Sequence, residues 1–297
     1  LITKIQHNNY ETGEFDEEKD RNIDETIALI NDFPWQQERE HFSVGLTGPS
    51  ITIQGAYNDF LKIAPYYHGK FVLYLFTSDN KLFNKAFDNL ADTFPLVRAF
   101  FDDAETFDTT DLKKQTTWLQ HPANHFRTGN FVCALNPANM LGAAAPFLLI
   151  LAFSIVPTIV ALFGKTPAPG FVLVPLGFCL LIFAFALLFF NHVKASRGLV
   201  LILSKGKDQF AYGPADNPVW RNKKEVVSLI THGRQGKGGS YGPLTRVEII
   251  FQHDSDHIDL SCLLLRHSEL MNKFPGVANT KVSEWLPFIH PSASTPS

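Results

Sequence analysis

The chain has 297 residues, 45% of them hydrophobic, and a formal net charge of −3. That length allows two domains with cores of their own, and the balanced charge offers no basic footprint for nucleic acid. Three cysteines, Cys133, Cys179 and Cys262, are odd in number and widely spaced. They predict neither a disulfide framework nor a zinc site, and they suit a reducing compartment.

The charge is unevenly spread. Residues 1–140 hold 12 Lys+Arg against 20 Asp+Glu, net −8, and residues 191–297 hold 13 against 9, net +4. Between them, Leu141–Phe163 and Phe171–Phe190 carry no charged residue and are separated only by Gly164–Gly170 (GKTPAPG). Each run reaches the roughly 20 apolar residues that a membrane-crossing helix needs. The predicted organisation is therefore an acidic α+β domain over 1–140, a transmembrane hairpin over 141–190 (helices 141–163 and 171–190), a basic β domain over 191–290 and a disordered tail over 291–297. Arg127, Lys194, Arg197, Lys205 and Lys207 flank the runs, whereas the connecting loop offers only Lys165. This bias predicts a multi-pass protein of the inner membrane with both soluble domains cytoplasmic. No ionisable residue lies within either span, so an anchor is expected rather than a transport route. Nothing reads as a signal peptide, and the chain opens at Leu1 without a methionine, as a trimmed or truncated chain does.

In chain order, Tyr10–Asp20 (YETGEFDEEKD) is acidic and expected to be solvated or poorly ordered. Ile23, Ile27 and Ile30 recur at helical spacing, and Pro34 predicts a helix ending near Asp32 with a second short one after it. His41–Leu46 and Ile51–Gln54 alternate as strands about the turn Thr47–Ser50, followed by Phe60–Ala64, the doubly apolar Lys70–Phe76 and Lys81–Phe87. Leu90–Phe101 reads as helix. The sum is an antiparallel meander packed on helices. His121 and His125 (HPANH) have metal-like spacing, but Pro122 and the missing glutamate make them surface histidines. Asp102, Asp103, Glu105 and Asp108 read as a solvated helix end.

Beyond the second apolar run come strands over Leu199–Ser204, Gln209–Gly213, Val219–His232, Thr245–His253 and His257–Leu265, then helical patterns over Ser268–Phe274 and Lys281–Ile289. They predict a small curved sheet or partial barrel with a closing helix. The order GLVLILSKGKDQFAYG, NPVWRNKKEVVSLI, RVEIIF, DHIDLSCLLL and a helical close, over residues about 192–290, resembles bacterial membrane-anchored proteins with a pleckstrin-homology-like domain. The resemblance implies a binding or scaffolding role and no catalytic residues. The loop Gly233–Gly242 (GRQGKGGSYG) departs from a Walker A loop, because Thr231 stands where its first glycine would and Gly238 replaces the hydroxyl residue after Lys237. It reads as a flexible hairpin loop, with a phosphate cradle as the alternative. His253 and His257 about Asp254 and Asp256 read as a polar turn.

The combined expectation is an α+β membrane protein that is not an enzyme: an anchored scaffold whose acidic domain recognises a protein partner while its basic domain lies on the inner leaflet. Candidate lipid or phosphate contacts are Lys194, Arg197, Lys205, Lys207, Arg234 and Lys237; no metal, cofactor or nucleic acid is expected. A membrane-tethered immunity or inhibitor protein against a basic toxin, and a membrane-associated enzyme acting at the leaflet, are the alternatives. The second would need a nucleophile–base pair or ligand cluster that no motif supplies.

Overall fold

The computed structural model describes residues 1–40, 44–104, 107–115, 122–163, 170–236, 239–252 and 257–289. Within the two long helices, the side chains of 153–158, 160–163, 170–176 and 178–179 lie outside that description. The chain forms two compact units, Leu1–Asn130 with Ser204–Lys207, and Phe131–Leu203 with Asp208–Ser297.

The first unit is built on one antiparallel sheet of seven strands. They are β1 (Ile2–Gln6), β2 (Asp16–Asp20), β3 (Ser50–Gln54), β4 (Phe60–Pro65), β5 (Phe71–Phe76), β6 (Leu82–Phe87) and β7 (Lys113–Gln115), in the order β2-β1-β3-β4-β5-β6-β7. Period-two alternation sends Ile5, Ile51, Ile53, Leu61, Ile63, Leu73 and Leu75 to one face. There they meet Ile30 of α1 (Ile23–Asp32), Trp35 of α2 (Trp35–Glu38), and Val97 and Phe100 of α3 (Phe94–Asp102). Each such side chain contributes roughly 1.5–3 kcal/mol by leaving water. A capping box starts α1: Asn22 Oδ1 accepts from the Glu25 amide, and the Glu25 carboxylate accepts from the Asn22 amide. Pro34, which disfavours helical backbone in the residue before it, separates α1 from α2.

The opposite face of this sheet packs Phe60, Val72, Tyr74 and Phe76 against Leu46 and Phe126. Lys4, Thr52, Lys62 and Tyr74 also lie on it, one behind another across four strands. Lys62 is fully buried; its ammonium donates to Gln6 Oε1 (3.1 Å) and to the Leu46 and His125 carbonyls (both 2.8 Å). Three acceptors favour the charged form, while burial and then Lys4 oppose it and push the lysine down to about 7. The rings of Phe15 and Phe126 stand 5.4 Å from this nitrogen.

Two expectations for this unit are corrected. Val44–Leu46 is bent chain, not strand, and 41–43 lie outside the described residues. The acidic stretch is ordered in its second half as β2. Its side chains are all exposed; backbone pairing with β1, the Thr128 hydroxyl on Glu18 (2.7 Å) and the Tyr10 hydroxyl on Asp16 (3.1 Å) hold it, and no apolar pattern announces it. The sheet's two edges carry charged side chains, Asp16–Asp20 at one end and Lys113 and Lys114 at the other.

The second unit opens with β8 (Val132–Ala134), followed by helices α4 (Pro137–Phe163) and α5 (Gly170–Ser196). Then come β9 (Leu199–Ile202), β10 (Gln209–Pro214), β11 (Val219–Asn222), β12 (Val226–His232), β13 (Arg246–Phe251), β14 (His257–Ser261), α6 (His267–Asn272) and β15 (Ala278–Val282). Two four-stranded sheets result, β11-β10-β9-β8 and β14-β13-β12-β15. They share one core of Leu201, Leu203, Phe210, Leu229, Val247, Ile249 and Leu260, which Leu270 and Phe274 complete from α6 and the turn after it. The helix expected over Lys281–Ile289 is not formed. Its start is β15, paired parallel to β12, and Pro287, which lacks an amide hydrogen, stands in the non-helical remainder.

The two uncharged runs are helical, yet among the described residues no helix is long and apolar enough to cross a membrane. The outer turns of both helices are also built into the unit. Asn139 donates to the Leu263 carbonyl (3.2 Å), Asn191 exchanges hydrogen bonds with Ile289, and His192 is fully buried. This overturns the transmembrane hairpin over 141–163 and 171–190. With it fall the membrane-protein fold class, the integral-membrane description and the multi-pass inner-membrane location with both domains cytoplasmic. What the structure holds is an α+β chain of several sheets.

Candidate functional site

The glycine-rich loop after β12 is a closed turn where it is described. Gln235 and Tyr241 form a β-bridge, the Gly236 amide donates to the Ser240 carbonyl (2.8 Å), and Gly239 adopts a φ of +80°, a region that favours glycine. Lys237 and Gly238 lie outside the described residues. The second half of the loop walls a cavity of about 410 Å³, in the range of small-molecule sites. Its other walls are Asn139 and Ala143 of α4, Cys262 after β14, and Arg266, His267 and Ser268 at the start of α6.

Local bonds fix these walls. Asn136 Oδ1 accepts from the Asn139 amide (2.7 Å) and so starts α4 beside the cavity. Tyr241 packs its ring on His267, centroids 4.4 Å apart. The single Thr231 hydroxyl hydrogen goes to Asn279 Oδ1 (3.0 Å), so His267 Nε2, also 3.0 Å from Thr231 Oγ1, is the donor there. Burial, and then the charge of Lys281, hold the His267 imidazole below its ordinary value and keep it neutral. Burial pushes the Cys262 thiol up to about 12, so it is a wall rather than a nucleophile. Arg266 supplies a fixed positive charge, and among the described residues lining the cavity none is a carboxylate. The site is chemically fit for an anion.

The charged residues expected to contact lipid or phosphate lie elsewhere. Lys194 and Arg197 are exposed at the end of α5 and beyond it, and Arg234 is exposed with its guanidinium 4.2 Å over the Trp285 ring. Lys205 and Lys207 are exposed in the 204–207 segment, which clusters with the first unit. None of these five lines the cavity. His125 is half-buried rather than a surface residue, with Nδ1 2.7 Å from Thr47 Oγ1; burial and Lys62 lower its pKa. His121, Glu105, His253, Asp254 and Asp256 lie outside the described residues. Among the described residues no three His, Cys, Asp or Glu side chains group as a metal site.

One arrangement resembles a catalytic pair. His192 Nδ1 is 2.8 Å from Ser261 Oγ, and its Nε2 is 2.9 Å from the Pro287 carbonyl. A carbonyl only accepts, so Nε2 carries the proton, and Nδ1 accepts from the serine hydroxyl. Yet His192 and Ser261 are buried and neither lines the cavity, so no substrate reaches the hydroxyl. The pair is a latch holding α5, β14 and the C-terminal segment together. Beside it, His232 sits between Glu284 (2.9 Å) and Glu248 (3.2 Å), and Arg246 lies 3.6 Å from Asp259, whose carboxyl burial pushes up against the opposing pull of Arg246.

Two small sheets around one core, closed by a short helix after the last antiparallel strand, define a pleckstrin-homology-like binding domain. Residues 131–273 match the family model described as PH domain, and the C-terminal half of this chain is a PH-like domain. The match starts at β8, so α4 and α5 are an insertion between the first two strands rather than a preface to the domain. No curated protein and no solved structure matches the chain. PH domains are generally non-catalytic binding modules, which gives this chain a binding or scaffold role.

Sequence reasoning marked the glycine-rich loop but missed Asn139, Arg266 and His267. Arg266 and His267 follow the LLL run directly, and an Arg–His pair closing an apolar run was the available signal.

Proposed function

We propose that this chain is a non-enzymatic binding protein whose PH-like domain takes a small phosphate-bearing ligand in the cavity beside Arg266. The observation that carries this reading is the composition of the cavity: Arg266, the hydroxyls of Ser240, Tyr241 and Ser268, and no carboxylate among its described lining residues. A guanidinium pairs two donors with a phosphate, an arrangement that a carboxylate in the wall would oppose. The tethered-inhibitor and leaflet-enzyme readings both depended on the membrane hairpin and are set aside with it. A protein partner for the acidic first unit remains part of the proposal. It is supported by the wholly exposed acidic edge β2, beside which a basic partner strand could pair.

The test is calorimetric titration of the full chain with inorganic phosphate and with inositol trisphosphate, in wild type and Arg266→Ala. Arg266 is exposed, so its loss leaves the core intact. Binding by wild type that weakens at least tenfold in the variant supports the site; equal affinities, or no binding of either probe, overturn it.

A further inference from the structure

The first unit contains a second anion-binding element, and it is filled by the protein itself. Three successive backbone amides of the 204–207 segment (SKGK) point at carboxylates. Lys205 donates to Glu11 Oε1 (3.1 Å), Gly206 to both Glu14 oxygens (2.9 and 3.1 Å), and Lys207 to Glu14 Oε1 (2.9 Å). The Glu11 amide adds a further bond to Glu14 Oε2 (2.9 Å), and Glu14 is fully buried. Consecutive amides aimed at one oxygen cluster form a nest, the device by which backbones hold phosphate. Gly206 lies directly beneath the Tyr10 ring, where a β-carbon would collide with Cδ1. The opposing turn is equally constrained: the Glu14 amide donates to the Glu11 carbonyl (2.9 Å), and Gly13, at φ +78°, accepts from the Gly129 amide (2.8 Å).

We propose that the 204–207 segment is a phosphate-binding nest and that the Glu11–Glu14 turn is its built-in competitor. Two carboxylate oxygens of Glu14 stand where two phosphate oxygens would bind, and the Lys205 and Lys207 side chains add the charge that favours an incoming dianion. Ligand and Glu14 occupy the same amides in turn, so the free chain is self-blocked. This site shares no residue with the Arg266 cavity, and Arg266→Ala leaves it unchanged.

The experiment compares full-length wild type, Glu11→Ala/Glu14→Ala and the shape-preserving Glu14→Gln. Amide NMR signals of Gly206 and Lys207 are followed as sodium phosphate replaces sodium chloride at constant ionic strength. Phosphate is expected to move these signals in every form, with at least tenfold tighter binding in the double variant and an intermediate gain in Glu14→Gln. A parallel arm uses phosphatidylcholine vesicles with or without phosphatidylinositol 4-phosphate. A gain for inorganic phosphate alone assigns a soluble ligand, and a gain confined to the phosphoinositide vesicles assigns a lipid headgroup. Equal affinity in wild type and Glu14→Gln, or signals that respond to neither probe, overturn the proposal, and Glu14→Gln keeps the test valid should the double variant misfold.

Discussion

His192 makes the stability of the PH-like unit depend on pH in a direction that the structure fixes. The ring is fully buried, donates from Nε2 to the Pro287 carbonyl and accepts at Nδ1 from Ser261. Burial lowers its pKa from 6.5 to about 4; the carbonyl bond opposes this and Arg246 of β13 reinforces it. Asp259 of β14 and the Glu248–His232–Glu284 group are the remaining charges in the polar cluster beside it. An unfolded histidine takes up its proton near 6.5 and the folded one only near 4, so unfolding takes up a proton between those values. The contribution of His192 is complete above about pH 6.5 and is lost as pH falls toward 4. The loss is about 1 kcal/mol at pH 5.5 and about 3 kcal/mol at pH 4. Asp259, with its raised pKa, acts in the opposite sense, so the comparison must hold it constant. His192→Gln does so: its amide can still donate to Pro287 but cannot titrate. Urea unfolding at pH 7.5, 5.5 and 4 should show wild type losing more stability than the variant by those amounts. Parallel pH curves for the two proteins would refute the reasoning.

The remaining predictions concern the first unit. Phe126 stacks on Phe76 with centroids 5.1 Å apart and also meets Phe60, so Phe126→Ala should cost about 3–5 kcal/mol in chemical denaturation. A cost under 1 kcal/mol would mean that the 122–127 segment does not cover that face. Lys62→Met keeps the buried stem but leaves Gln6 Oε1 and the Leu46 and His125 carbonyls without their donor. A loss of roughly 3 kcal/mol is expected from unsatisfied acceptors, read as a lower urea midpoint. An unchanged or higher midpoint would show that burying the ammonium costs more than its three bonds return.

How much of this was legible follows from the range of the interactions. The capping box at Asn22, the break at Pro34 and the alternation through β3 to β6 lie within a few residues, and the fold follows them. The same holds for β9, β10, β13 and β14, whose order carries the PH-like pattern. Local apolarity misled where it stood alone. Two uncharged runs read as spans in the sequence, yet among the described residues no helix is long and apolar enough to cross a membrane, and Asn139 and His192 tie the helices' outer turns to Leu263, Ser261 and Pro287 far along the chain. The Glu14 nest was invisible for the same reason, since its donors arrive some 190 residues after the acceptor.

Strand β8 shows most clearly what a short element hides from a reading of the chain in order. It has three residues, too few for a period, and it gains its hydrogen bonds only from β9, on the far side of both helices. Cys133 packs against the shared core, and the Leu203 amide donates to the Phe131 carbonyl (3.0 Å), so the sheet closes across the insertion. In the chain the long helices look like a divider between two domains. In space they interrupt one domain, entering where β8 ends and leaving where β9 begins. That placement brings the start of α4 to the wall of the Arg266 cavity, so the inserted helices contribute Asn139 and Ala143 to the proposed binding site.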